Sequence, residues 1–141
     1  MSEKRIVEQL SIFVNNEAGS LAKMADTISK CDINIKSFNI AESIGFGVFR
    51  AIVDNPDEAY EKLTANGLIV KKTEILAVSG VNDKGYLHKI AKALGDAGIS
   101  IEYAYTNKDK NDSILVRVNN IEGAIAVFDR LGVELLETKD L

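Results

Sequence analysis

Among side chains that could do covalent or metal chemistry, the chain offers one cysteine, Cys31, and one histidine, His88. A thiolate–imidazole dyad would require those two to meet, and a zinc site would need ligands that one Cys and one His cannot supply. Cys31 reads as a small buried filler and His88 as a surface residue beside a helix's apolar stripe. Neither a P-loop nor a GxGxxG fingerprint occurs. The sequence is better equipped for hydrogen bonding. In Asn16-Glu17-Ala18-Gly19-Ser20-Leu21 a carboxamide that donates and accepts precedes a glycine, and a helix begins directly after it. Glycine lets backbone amides approach a guest, and a helix start presents unpaired N–H groups suited to a carboxylate. Asn16, Gly19 and Ser20 are therefore candidate contacts for a small zwitterion, and Asn82, Gly85 and Tyr86 are their counterparts further on. Each also has a structural reading. The glycines serve the turn, Ser20 suits a helix start, and the asparagines suit Asx-turns; the two kinds of role are compatible.

Those turns belong to an internal repeat. Asn16–Ala25 recurs as Asn82–Ala91, an offset of 66 set by Gly19 and Gly85, and it holds to Ile33-Asn34-Ile35 against Ile99-Ser100-Ile101. Asp57–Tyr60 and Asn66-Gly67 match Glu122–Ile125 and Leu131-Gly132 at an offset of 65, so a hairpin absorbs one residue. The repeat divides the chain into residues 1–71 and 72–141. In each half an alternating strand (Leu10, Ile12, Val14; Leu76, Val78) leads into an amphipathic helix. The helix carries Leu21, Met24, Ala25 and Ile28, or Leu87, Ile90, Ala91 and Leu94. Turns at Cys31-Asp32 and Ala97-Gly98 precede strands at Ile33–Ile40 and Ile99–Tyr105. Hairpins at Glu42–Gly47 and Asn107–Asp112, the latter with a solvated Lys108–Lys110 tip, lead to strands Val48–Val53 and Ile114–Val118. A second helix follows, capped by Asn55 with Pro56 and Glu58 in the first half and stopped by Gly67 and Gly132. Final strands at Leu68–Thr73 and Val133–Leu136 complete β-α-β-β-α-β twice. This predicts an α+β protein of two ferredoxin-like modules, antiparallel sheets with both helices on one face.

Alternation also leaves apolar side chains on the second face. Phe13 opposes Leu10, Ile12 and Val14, and Phe38 and Ile40 oppose Ile33 and Ile35 unless a bulge shifts the phase. A covered second face implies association, edge to edge or face to face, so a homodimer is expected. A module of about 70 residues buries little surface alone, and docking of the halves is expected too.

Bulk properties narrow the classes. The chain has 141 residues, 46% hydrophobic and 27% charged, as in a soluble globular protein. Its first residues run straight into a strand-like segment without a signal-peptide core, and no apolar run approaches a membrane span, so a cytoplasmic location is expected. A net charge of −4 opposes a phosphate-binding surface. RNA-recognition modules share the β-α-β-β-α-β order and stack bases on aromatics of the first and third strands. Phe13 and Phe49 fit in the first half, but Ser79 and Ile114 stand at the matching places, so no nucleic-acid partner is expected.

Taken with the Ile-Asn-Ile and Ile-Ser-Ile segments that follow the helices, the two Asn-x-x-Gly-x-Leu turns resemble the ACT domain family over about Arg5 to Glu137. ACT domains are small ferredoxin-like regulatory modules of amino-acid metabolic enzymes, and stand-alone tandem ACT proteins share this layout. Where the family commonly has Pro before the turn glycine, this chain has Ala18 and Lys84. Lys84 places a cation beside the second turn. The resemblance implies a non-catalytic sensor binding an amino acid at module interfaces. There the turn faces the second strand of a neighbouring module, which implicates Ser37 and Asn39, and Tyr103 and Tyr105, the tyrosines also suiting interface packing. No cofactor or metal is implied. The alternative is a ligand-independent interaction or regulatory subunit of an amino-acid metabolic enzyme. An acylphosphatase-type enzyme would want an Arg-bearing anion loop where this chain has Asn-Glu-Ala-Gly, so catalysis is not expected.

Overall fold

The computed structural model describes residues 5–15, 17–43, 45–80, 84–108 and 111–141. In order they form β1 (Val7–Asn15), α1 (Ser20–Lys30), β2 (Ile35–Ser43), β3 (Phe46–Val53), α2 (Pro56–Ala65), β4 (Ile69–Ser79), α3 (Tyr86–Asp96), β5 (Ile101–Asn107), β6 (Ser113–Val118), α4 (Ile121–Leu131) and β7 (Leu135–Leu136). This is β-α-β-β-α-β twice, as the repeat predicts. One feature differs: the strand ending the first half and the strand opening the second are a single 11-residue strand, β4. Two compact units result, Glu8–Thr73 and Glu74–Leu141, with residues 5–7 belonging to the second. The repeat alone places the cut at 71/72 and does not foresee the allegiance of residues 5–7. Its cause is local. The Arg5 guanidinium pairs with the Asp129 carboxylate of α4, and Ile6 packs on the second unit's core. That pairing holds the Asp129 carboxyl below its ordinary value.

The first unit has strand order β2-β3-β1-β4, with β3 antiparallel to both β1 and β2. Leu10 and Ile12 of β1 and Phe49, Ala51 and Val53 of β3 share a face and form a core with Met24 and Ile28 of α1 and Ala59 and Leu63 of α2. Asn55 Oδ1 accepts from Glu58 N at 3.3 Å, Pro56 occupies the first turn, and Gly67 ends α2 at φ 86°. The second unit has order β5-β6-β4-β7, all antiparallel pairs. Its core joins Leu76 and Val78 of β4 and three residues of β6 to Ile90 and Leu94 of α3 and to α4. The cap of α4 is the counterpart of Asn55 at the offset of 65: Asn120 Oδ1 accepts from Gly123 N at 3.0 Å.

Two details depart from the sequence pattern. Of the expected stripe on α1 and α3, only Met24 and Ile28, and Ile90 and Leu94, are buried. Leu21 and Leu87, in the first turns, stay 40% and 62% exposed. The second is a β-bulge. Ile35 pairs with Val53 and Ser37 with Ile52, so Lys36 is extra; Ile101 pairs with Val118 and Tyr103 with Arg117, so Glu102 is extra. The bulges lie 66 residues apart and shift the phase of both strands. Phe38 and Ile40 therefore share the helix-covered face with Ile35, and Phe38 stacks on Phe49 at 5.4 Å between centroids. They remain 57% and 50% exposed because β2 is the outermost strand of its order. The face opposite the helices carries Val48 and Ile52, both buried.

Phe128, on α4, is fully buried in the second unit's core. Phe128→Ala is expected to cost about 3–5 kcal/mol by removing a large buried ring. Urea unfolding monitored by circular dichroism measures this.

Candidate ligand-binding groove

β1 passes into α1 through Gly19, whose φ of 90° lies in the left-handed region that favours glycine. The turn tightens with Ser20 N donating to Glu17 O at 3.1 Å, and α1 starts with no side-chain cap from Gly19. Beside this turn lies a groove of about 710 Å³, entirely within the first unit. Its apolar lining includes Phe13, Val14, Met24, Phe46, Leu68 and Ile69; the polar lining includes Glu17, Ser20, Lys23 and Thr27. Phe13 and Phe46 meet at 5.9 Å between centroids, tilted 59°, an arrangement their quadrupoles favour. The groove thus carries one acid, one base and two hydroxyls around an apolar lining. Among the described residues, Lys23 Nζ has no ion-pair partner and Ser20 Oγ no hydrogen-bond partner, whereas Thr27 Oγ1 donates to Lys23 O at 3.2 Å.

A second cleft, about 460 Å³, lies in the same unit between Asp32, Asn34, Asp54, Asn55, Glu58 and Lys62. Apart from Asp32, its charged groups are paired. Asn34 Nδ2 donates to Asp54 Oδ2 at 3.0 Å, Lys36 pairs with Asp54 at 3.3 Å, and Lys62 with Glu58 at 2.8 Å. These contacts hold the Asp54 and Glu58 carboxyls below their ordinary values, through the Asn34 hydrogen bond and the Lys62 ammonium respectively. A site whose charges are already compensated is a poorer host than the groove.

Sequence-predicted residues divide accordingly. Ser20 lines the groove and Gly19 shapes its turn. Gly85 repeats the left-handed turn at φ 81°, and Tyr86, half-buried, packs on the second unit's core. Asn16 and Asn82 lie outside the described residues. Ser37 and Asn39 do not line the groove. They lie on the face opposite the helices, paired with Ile52 and Arg50, and Asn39 Oδ1 is buried without a hydrogen-bond partner among the described residues. Tyr103 and Tyr105 occupy the same face of β5, opposite Arg117 and Leu115. Groove residues that the turn motif did not nominate are Lys23, Phe46 and Ile69. Lys23 had a signal, since it recurs as Lys89 at the same offset of 66.

Cys31 is partly buried, its sulfur 3.5 Å from Asn66 Nδ2, and His88 is exposed on α3. Among the described residues no group of three His, Cys, Asp or Glu side chains could hold a metal ion, and no helix is long and apolar enough to cross a membrane. Phe13 and Phe49 cannot form one stacking platform. Phe49 pairs with Ile12 and is buried beneath the helices, while Phe13 points to the other face.

A tandem of ferredoxin-like units, each turning from first strand to first helix on a left-handed glycine, is the layout of an ACT pair. The chain belongs to that family: the model described as "ACT domain pair" matches residues 5–141. The crystal structure of protein BT0572 from Bacteroides thetaiotaomicron is similar at 34% identity, covering 96% of this chain and 95% of that one with a TM-score of 0.86. The regulatory subunits of aspartate kinase from Thermus thermophilus and Thermus flavus share the fold at 16% identity each. They cover 87% and 89% of this chain and 91% and 95% of theirs, with TM-scores of 0.56 and 0.54. No curated protein matches in sequence.

A Cβ on Gly19 would meet nothing within 4 Å, so any effect of Gly19→Ala comes from backbone strain alone. The substitution is expected to destabilise the first unit by about 1 kcal/mol through the positive φ. Thermal denaturation of the variant beside wild type measures it.

Proposed function

We propose that this ACT pair is a non-catalytic sensor that binds an amino acid, one with an apolar side chain, in the groove beside Gly19. The observation carrying this reading is the lining itself. Lys23 and Glu17 offer a cation and an anion for the two charged ends of a zwitterion, and Phe13, Phe46 and Ile69 offer apolar surface for its side chain. Ser20 Oγ supplies an uncommitted hydroxyl at the turn. Guest carboxylates with charged or highly polar side chains would have to desolvate them against the phenylalanine pair, which is unfavourable. The regulatory role rests on family membership, and the Thermus aspartate kinase regulatory subunits share the fold.

Such a sensor transmits binding to a partner by favouring one arrangement over another. The exposed Phe38 and Ile40 on the outer strand β2 give a second copy an apolar edge to pair with, and a homodimer in the cytoplasm serving an amino-acid metabolic enzyme fits this reading.

The test is a thermal-shift panel of all proteinogenic amino acids at millimolar concentration. Branched-chain or aromatic members are expected to raise the melting temperature, with about 2.7 kcal/mol of stabilisation at a hundredfold excess over the dissociation constant. Lys23→Ala is expected to weaken the best ligand about tenfold by removing a charge-assisted contact. A flat response across the panel would instead favour the ligand-independent interaction subunit.

A further inference from the structure

The duplication makes two turn sites, yet three equivalent positions differ in how they are used. At the offset of 66, Val14, Ser20 and Lys23 of the first groove correspond to Gly80, Tyr86 and Lys89. In the first unit Val14 and Ser20 line open space. In the second, the Tyr86 ring reaches back over Gly80: a Cβ there would lie 3.0 Å from Tyr86 Cζ and 3.2 Å from its hydroxyl oxygen. The ring thus bridges the places that Ser20 and Val14 hold around the first groove, and it packs on the second unit's core. The cation is engaged too. Lys89 Nζ lies over the Tyr86 ring, 5.9 Å from its centroid, whereas Lys23 has no partner among the described residues.

We propose that the two turn sites are unequal by construction: the Tyr86 ring occupies the second site as a built-in guest, and the chain binds a single amino acid, in the first. The inference rests on reading the first groove as an amino-acid site. Glycine at 80 removes the side chain that would collide with the ring, and its φ of 92° suits no other residue well. The large-for-small change at 86 and the small-for-large change at 80 exchange volume within one contact. With Lys89 held over the ring, the second site also lacks a free counterpart of Lys23.

Two measurements on the full chain test this. Isothermal titration with the amino acid giving the largest thermal shift is expected to return one ligand per chain for wild type and two for Tyr86→Ser, where removal of the ring restores the serine of the first turn. Nuclear Overhauser contacts between the Tyr86 ring and the Gly80 Hα protons are expected in the wild-type protein, which keeps the closure testable if the variant fails to fold. Two ligands per wild-type chain, or no contact between Tyr86 and Gly80, would overturn the proposal and leave the sensor reading standing. Absence of binding by wild type and Tyr86→Ser alike would remove the sensor reading itself, and the one-ligand claim with it. A ring contact present alongside one ligand per chain supports both.

Discussion

Each module depends on a reversal of chain direction between its first strand and first helix. The helix must return over the face carrying Leu10 and Ile12, or Leu76 and Val78, and the turn available is short. A residue with positive φ achieves this, and Gly19 and Gly85 adopt φ of 90° and 81° without the steric cost a Cβ would bring. Helix placement, and with it burial of Met24, Ile28, Ile90 and Leu94, follows from those two backbone conformations. The same turn leaves the helix start uncapped by a side chain of its N-cap residue. The turn's structural need is thus met by one glycine, and the ligand contact proposed beside it does not compete with that need.

The repeat made the fold legible because it reports two copies of one hydrogen-bonding plan. Alternation in β1, the Asn55-Pro56 helix start and the stops at Gly67 and Gly132 each follow from local chemistry and recur in the structure. Legibility ended where geometry is not encoded by residue type. The bulges at Lys36 and Glu102 carry neither Gly nor Pro, and ion pairs accompany them: Lys36 with Asp54 and Glu102 with Arg117, both at 3.3 Å. Hydrophobic periodicity likewise cannot say how far a helix overhangs its sheet. Leu21 and Leu87 obey the helical spacing, yet they sit in first turns where the stripe runs past the core.

The groove was half legible. A turn motif nominates residues on the turn, so Gly19 and Ser20 were within reach; Phe46 and Ile69 come to the groove from strands distant in sequence, and only the tertiary fold assembles them. The hairpin read at Glu42–Gly47 contains Phe46, and its polar and glycine-rich residues hide an aromatic that ends up 5.9 Å from Phe13. Ser37, Asn39, Tyr103 and Tyr105 came from resemblance rather than from the residues' own chemistry. Their common feature is an equivalent position after a bulge, on the face away from the helices.

Duplication also sets a problem that the second module solves by exchanging side chains. Two copies begin with the same cavity beside the same turn, and an unfilled apolar cavity forfeits dispersion contacts. A ligand can fill it, or the chain can. The first module keeps small Ser20 at the helix start and an open groove lined in part by the touching rings of Phe13 and Phe46. The second replaces Phe13 by Ser79, Val14 by Gly80 and Ser20 by Tyr86. Apolar bulk lost from the strand is returned from the helix, where the ring gains the core contacts and the nearby Lys89 cation. A covalently attached guest costs no translational entropy on binding, so the second site is filled without a ligand having to arrive. The two modules thus share one turn and differ in what lies beside it: an open groove in the first and the Tyr86 ring in the second.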